Sequence, residues 1–178
     1  MFTVLKKLTT KEILQNNLER SSPLAESFIL WLHDIRSLHN VGSAFRSADA
    51  FGIRELRLSG YTPVPPRPEI TKTAIGAEEH VNWQRIDDPS TAISNLKADG
   101  YTIAGLEQTD QSVPIHQWKP ESDKICLILG NEVTGVSDEL LPLIDVAVEI
   151  PQFGMKHSLN VSVAGGVALY AICEKFLK

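Results

Sequence analysis

Two short, uninterrupted apolar runs constrain this chain more than any other feature. Ile125-Cys-Leu-Ile-Leu129 follows Lys124 and stops at Gly130, and Phe28-Ile-Leu-Trp-Leu32 has the same length. Runs this short fit strands better than buried helices. A strand that is apolar on both sides of its pleat must be covered on both faces, and such strands belong to parallel sheets flanked by helices. Ile53 to Leu58, Val81 to Ile86, Tyr101 to Leu106 and Val146 to Ile150 read as further strands. Helix signals fall between them. Thr9-Thr-Lys-Glu12 has the spacing of a capping box and predicts a helix to about Arg20. A helix over Val41 to Phe51 is closed by Gly52. Asp88-Pro89 pairs an N-cap with a proline at the first helical position, opening a helix that runs to about Asp99 and ends at Gly100. Ser137 is placed to cap a short helix whose first turn holds Asp138 and Glu139, and Leu159 to Phe176 reads as the last helix. Gly60 to Pro68 contains four prolines and is expected to be a stiff loop. Strands alternating with helices predict an α/β fold built on a parallel sheet. With no repeat or linker, residues 1–178 are expected to form one domain, a helical extension over 1–27 followed by a core over 28–178.

Several function classes drop out. The 178 residues are 43% hydrophobic and 22% charged, ordinary for a soluble globular protein. No apolar run is long enough to cross a bilayer, and the first residues lack a secretory layout, so a cytoplasmic protein without a membrane partner is expected. Cys126 and Cys173 are the only cysteines and form no CxxC pair. The five histidines show no metal-ligand spacing, so no metal is expected. Gly130-Asn-Glu-Val-Thr-Gly135-Val-Ser137 nearly matches a phosphate loop, but Val136 stands where the lysine must be and Glu132 would face the phosphates. There is no G-x-G-x-x-G and no G-x-S-x-G. Cys126, set mid-strand, reads as an inert buried thiol. The net charge of −5 is unevenly spread. Residues 1–72 carry 10 Lys/Arg against 7 Asp/Glu, whereas residues 73–178 carry 7 against 15. Such asymmetry marks a candidate side for a polyanion.

Three segments survive this filter. In His39-Asn40-Val-Gly42-Ser-Ala-Phe-Arg46-Ser-Ala-Asp49, Asn40 is placed to cap a helix on which Gly42 and Arg46 share a face. A helical glycine costs roughly 1 kcal/mol against alanine, so something must approach it closely. That is either a ligand beside the guanidinium or a packing neighbour, with Arg46 and Asp49 then forming a surface pair. In Leu129-Gly130-Asn-Glu132-Val-Thr-Gly135, a buried strand ends in a polar turn at the carboxyl edge of the sheet, where open α/β sheets bind ligands. The third segment runs from Ile150-Pro151 through Ser158-Leu159-Asn160 to Ala164-Gly-Gly-Val-Ala168. Its paired helical glycines point to tight packing within the subunit or between subunits, and its polar groups at the helix start serve as caps or as site residues.

In this order and spacing, Asn40-x-Gly42-x-x-x-Arg46, Leu129-Gly130-x-Glu132-x-x-Gly135, and Ile150-Pro151 with Ser158-Leu159-Asn160-Val-Ser162-Val-Ala164 resemble the three motifs of the SpoU (TrmH-like) branch of the SPOUT methyltransferases. The resemblance covers roughly Phe28 to Phe176. It implies a parallel-sheet SPOUT methyltransferase fold with a C-terminal trefoil knot, a homodimer, and methyl transfer from S-adenosylmethionine to a ribose 2′-OH of RNA. It also implies cofactor contacts from Gly130, Ile150, Ser158 and Leu159, with Leu106 lining the same pocket. The catalytic set it implies is Arg46, Asn40, Glu132, Ser158 and Asn160, with Arg46 in the activating role; because a guanidinium stays protonated, Arg46 is expected to grip a phosphate and stabilise the developing alkoxide. Transfer RNA is favoured over ribosomal RNA, through a surface of Lys6, Lys7, Lys11, Arg20, Arg36, Arg54, Arg57 and Arg67. A ribosomal RNA substrate, a base-methylating SPOUT enzyme and a catalytically silent RNA-binding module are the alternatives.

Overall fold

The computed structural model describes residues 5–177. Five helices, α1 (Thr10–Leu18), α2 (Leu38–Phe51), α3 (Pro68–Ala74), α4 (Pro89–Ala98) and α5 (Val161–Phe176), accompany seven strands. The strands are β1 (Ile29–His33), β2 (Glu55–Ser59), β3 (Trp83–Ile86), β4 (Thr102–Leu106), β5 (Val113–Pro114), β6 (Ile125–Leu129) and β7 (Val146–Glu149). They make one sheet in the order β3-β2-β1-β6-β4-β7-β5, and every pairing is parallel.

The two apolar runs are the central neighbours β1 and β6, and every residue of both is buried. Alternate residues serve opposite faces. Leu30, Leu32, Leu127 and Leu129 join the larger core beneath α2, α3 and α5, and Ile29, Trp31, Cys126 and Ile128 join the smaller core with Ile93 and Leu96 of α4. Burial raises the Cys126 thiol pKa far above its ordinary value, as an inert core cysteine requires.

Most local expectations match. Thr9 and Glu12 make both halves of the capping box, Asp88 caps α4, and Gly52 closes α2 in the left-handed conformation. Others need correction. α2 begins at Leu38, and Ser37, not Asn40, accepts the capping bond from the Asn40 amide. Pro68 does not end a loop; it opens α3, because a proline at the first helical position gives up no intrahelical bond. Ser137 caps no helix: its hydroxyl lies 3.3 Å from His33 Nε2, and only a 3₁₀ turn follows at Leu141–Leu143.

Two glycines show what helical glycine is for here. A Cβ on Gly42 would overlap Thr73 Oγ1 and the Ile70 carbonyl oxygen, so the close neighbour of α2 is α3. A Cβ on Gly165 would crowd Leu129 Cδ1, which seats α5 against β6.

Candidate active site

The carboxyl ends of β4, β6 and β7 open into a crevice of about 340 Å³, within the range of small-molecule sites. Leu106, Gly130, Ile150, Ser158 and Leu159 all line it, as does Glu132. Its floor exists because Gly130 has no side chain: a Cβ there would overlap the backbone of Gly135 and Val136, which folds back over it. Asn131 fixes this turn. Its backbone pairs with Gly135 in both directions at 2.9 Å, and its Oδ1 accepts from the amides of Val133 and Thr134. Its Nδ2 donates to the Asp34 carbonyl at 2.8 Å.

The turn holds Glu132 against the start of α2. Its carboxylate accepts from the Arg36 amide at 2.9 Å, the Ser37 amide at 3.1 Å and Asn40 Nδ2 at 3.0 Å. Burial pushes this carboxyl upward, but the bonds from Arg36, Asn40, its own turn and Ser37 outweigh it, and the pKa lies below the usual carboxylate value. Asn40 Oδ1 in turn accepts from Asn160 Nδ2 at 3.1 Å. Asn160 Oδ1 caps α5 by accepting from the Ser162 and Val163 amides. Capping and site construction are thus one role, and a single chain, Asn160 to Asn40 to Glu132, joins the three sequence segments.

Arg46 stands apart. It lines a second, open cavity of about 540 Å³ together with Ser43, Ser47, Ala50, Phe51, Lys72, Thr73 and Ile75. No ion pair with Asp49 forms. Three cations of the expected RNA surface have partners within the chain. Arg57 is largely buried, paired with Glu55 at 2.8 Å and stacked 5.8 Å from the Trp31 ring centroid. Arg54 Nη1 donates to the Glu26 carbonyl and the Tyr101 hydroxyl, each at 3.1 Å. Lys6 lies 4.0 Å from Glu12.

The sequence reading passed over His33, Glu107, Gln108 and Lys72. His33 Nδ1 and Trp31 Nε1 both lie 2.7 Å from Ser59 Oγ, a buried knot at the ends of β1 and β2. Burial holds the imidazole below the ordinary histidine pKa, against the opposing pull of Asp34 and Glu139. Glu107 Oε2 accepts from the Val136 amide at 2.9 Å, and Gln108 Nε2 donates to the His157 carbonyl at 2.8 Å. The strand-end position of Leu106 was the only available pointer to the last two.

The donor set can be tested against S-adenosylmethionine. The crevice offers apolar side chains (Leu106, Leu129, Ile150, Leu159) for a flat aromatic group. It also presents three carboxylates, Glu107, Glu132 and Glu149, and no lysine or arginine. That balance suits a ligand with cationic sulfonium and ammonium groups and disfavours a polyanion. The residues fit. Among the described residues no group of three or more His, Cys, Asp or Glu side chains is placed to hold a metal, and no helix is long and apolar enough to cross a membrane.

An all-parallel α/β sheet with a crevice at its carboxyl edge is the architecture this chain has in common with solved SPOUT-type methyltransferases. It shares that fold, with a TM-score of 0.79 and 26% identity, with the AdoMet-bound rRNA methyltransferase from Sinorhizobium meliloti, over 89% of this chain and 60% of that one. A TrmH/SpoU tRNA modifying enzyme of A. aeolicus superposes with a TM-score of 0.75 at 25% identity, over 92% of this chain and 84% of that one. The chain belongs to the SpoU rRNA Methylase family, whose model matches residues 27–170. By that membership it is an S-adenosylmethionine-dependent RNA 2′-O-methyltransferase. Curated relatives include a 23S rRNA (guanosine-2′-O-)-methyltransferase of Acinetobacter baylyi, 29% identical over 98% of this chain and 67% of its own length. A tRNA (guanosine(18)-2′-O)-methyltransferase of Aquifex aeolicus is 29% identical over 89% of this chain and 76% of its own length.

Proposed function

We propose that this protein methylates a ribose 2′-OH in a folded RNA, transfer RNA in particular, and that it does so as a homodimer. The observation that carries the reading is the hydrogen-bonded chain from Asn160 through Asn40 to Glu132, which unites the three motif segments beside the crevice. When bound, S-adenosylmethionine supplies a methyl group already activated by the sulfonium. The remaining requirements are alignment and loss of one proton from the acceptor hydroxyl. Main-chain groups at Gly130, Ile150 and Leu159, with Leu106 and Ser158 beside them, hold the donor. Asn40, Ser158 and Asn160 orient the ribose, and Glu132 fixes Asn40. Arg46 cannot act as a base, because a guanidinium stays protonated. It stabilises the developing 2′-alkoxide, and the proton leaves to water.

The homodimer is supported by an apolar stripe on α5, where Val163, Val167 and Tyr170 are 53%, 42% and 60% exposed. Dimer formation also gives the separation of Arg46 from the crevice a rationale, since a second copy can bring its own Arg46 to the site. The trefoil knot belongs to the same reading. It is supported by the chain's path from β5 at the sheet edge, across β4 to β6, and back to β7. Transfer RNA is favoured because Lys7, Lys11, Arg20, Arg36 and Arg67 remain exposed for shape-directed phosphate contacts. Incubating the protein with S-adenosylmethionine and either transfer or ribosomal RNA, followed by nucleoside mass spectrometry, tests the proposal. A methyl group on the ribose of transfer RNA is expected. A base methyl would refute the reaction, and preference for ribosomal RNA would refute the substrate. An active monomer by light scattering would refute the dimer.

A further inference from the structure

Three aromatic side chains stand largely exposed among the described residues: Tyr61, Phe153 and Tyr170. Tyr170 belongs to the α5 stripe assigned above to the dimer, and Phe153 sits on the loop before α5, where its ring has no polar anchor. Tyr61 is different. It follows β2 at the carboxyl edge of the sheet and is 59% exposed, although it is tied at both ends. Its amide donates to Asp34 Oδ1 at 3.2 Å, and its hydroxyl accepts from Asn131 Nδ2 at 2.6 Å. The backbone beside it is fixed as well. Thr62 is buried, and its hydroxyl accepts from the Ile35 amide at 3.0 Å and donates to the Leu32 carbonyl at 3.3 Å. Pro63, Pro65 and Pro66 then stiffen the rest of the loop. These ties hold the ring next to the site. Asn131 lines the crevice, and the residue after it, Glu132, binds Asn40.

We propose that Tyr61 is a stacking platform for an unpaired base of the bound RNA. The proposal rests on the RNA reading above and adds to it a contact that involves no phosphate. Burial does not account for a ring that faces water beside a binding site, whereas an aromatic face is what an unstacked base seeks. Every base has such a face, so the contact tolerates any base identity. A ring already held at its amide and its hydroxyl loses little freedom when the base arrives. A base inside a duplex has both faces covered by its neighbours, so the platform selects a loop or an end of a folded RNA over a helical stem.

The test is binding of a transfer RNA transcript to the full chain across a potassium chloride series, with S-adenosylmethionine affinity measured separately by calorimetry. Tyr61→Phe and Tyr61→Ala both lose the hydroxyl that meets Asn131, so the difference between them isolates the ring. Tyr61→Ala is expected to bind RNA about fivefold to a hundredfold more weakly than Tyr61→Phe. The two should share one salt slope, because no charge is lost, and one cofactor affinity. Tyr61→Trp is expected to bind RNA at least as well as Tyr61→Phe, and the emission of its added indole should be quenched as RNA binds. Equal RNA affinity in the Phe and Ala variants, or indole emission indifferent to saturating RNA, would overturn the platform while the methyltransferase reading stands. If the wild-type protein binds S-adenosylmethionine but no RNA, both fall. Tyr61 is exposed, so its replacement removes no core contact, and circular dichroism of each variant checks the fold.

Discussion

Replacing Glu132 by glutamine removes one charge and keeps the shape, and its consequence can be worked from three bonds. The carboxylate accepts from two backbone amides and one side-chain amide, at 2.9, 3.1 and 3.0 Å. A hydrogen bond to a charged group contributes about 1.5–3 kcal/mol and a neutral one about 0.5–1.5. Glutamine keeps one acceptor oxygen for Ser37 and Asn40 while its NH₂ faces the Arg36 amide, so two bonds lose charge assistance and the third is lost, an upper bound of roughly 6 kcal/mol. The side chain is half-buried, and solvent screening brings the expected loss to about 2–3 kcal/mol. For a chain of this length that is a fall in Tm of roughly 4–12 °C. The pH dependence has a definite sign. The folded pKa of Glu132 is depressed, so its contribution is present above the unfolded glutamate value and is lost as pH falls through the folded one. Thermal melts of wild type and Glu132→Gln at neutral pH and down through the acid range should therefore differ at pH 7 and converge in acid. Equal melting temperatures at pH 7, or a gap that persists undiminished at low pH, would refute the reasoning.

Arg46→Ala should keep the fold and cofactor affinity and lose methyl transfer by about 10²-fold or more, and Arg46→Lys should recover little of it; steady-state kinetics decide. Gly42→Ala gains about 1 kcal/mol of helix propensity but overpacks the α2–α3 contact at a cost of about 1–3 kcal/mol or more, so a net loss in denaturant unfolding is expected. Gln108→Met keeps the side-chain length and removes the donor to His157. Among the described residues that bond is the only one tying the segment between Ile150 and Leu159 to the rest of the chain, so faster amide exchange there and weaker S-adenosylmethionine binding are expected.

The fold was largely legible because its strongest signals are local. The apolar runs of β1 and β6, the Thr9–Glu12 box, the Asp88-Pro89 start and the Gly52 stop each lie within a few residues of one another. α3 escaped because its seven residues follow a proline-rich loop and bury only Ile70 and Ala74, too few to show a period. β5 is two residues long. The reason for Gly42 was equally hidden, since it is a helix that the sequence reading lacked. The site was legible as three segments but not as one assembly. Glu132 finds Arg36 and Asn40 across 96 and 92 positions, and no spacing rule reaches that far. The neighbours of Arg54 and Arg57 across the sheet were hidden for the same reason: Tyr101 and Trp31 meet them only when strands pair.

The start of α2 explains how the two cavities can carry opposite charge. A helix N-terminus presents free amides and a partial positive charge, and it attracts anions. Here it is already filled. Glu132 takes the Arg36 and Ser37 amides just ahead of the helix, and Ser37 Oγ takes that of Asn40. A carboxylate supplied by the turn after β6 therefore neutralises the start of α2, which removes an anion-attracting helix end beside the space that suits a cationic donor. Further along the same helix Arg46 is left unpaired and opens on the second cavity instead. The segregation depends on Glu132 being charged. Its depressed pKa keeps it so at neutral pH, and the hydrogen bonds that depress the pKa are the ones that place Asn40 beside Asn160.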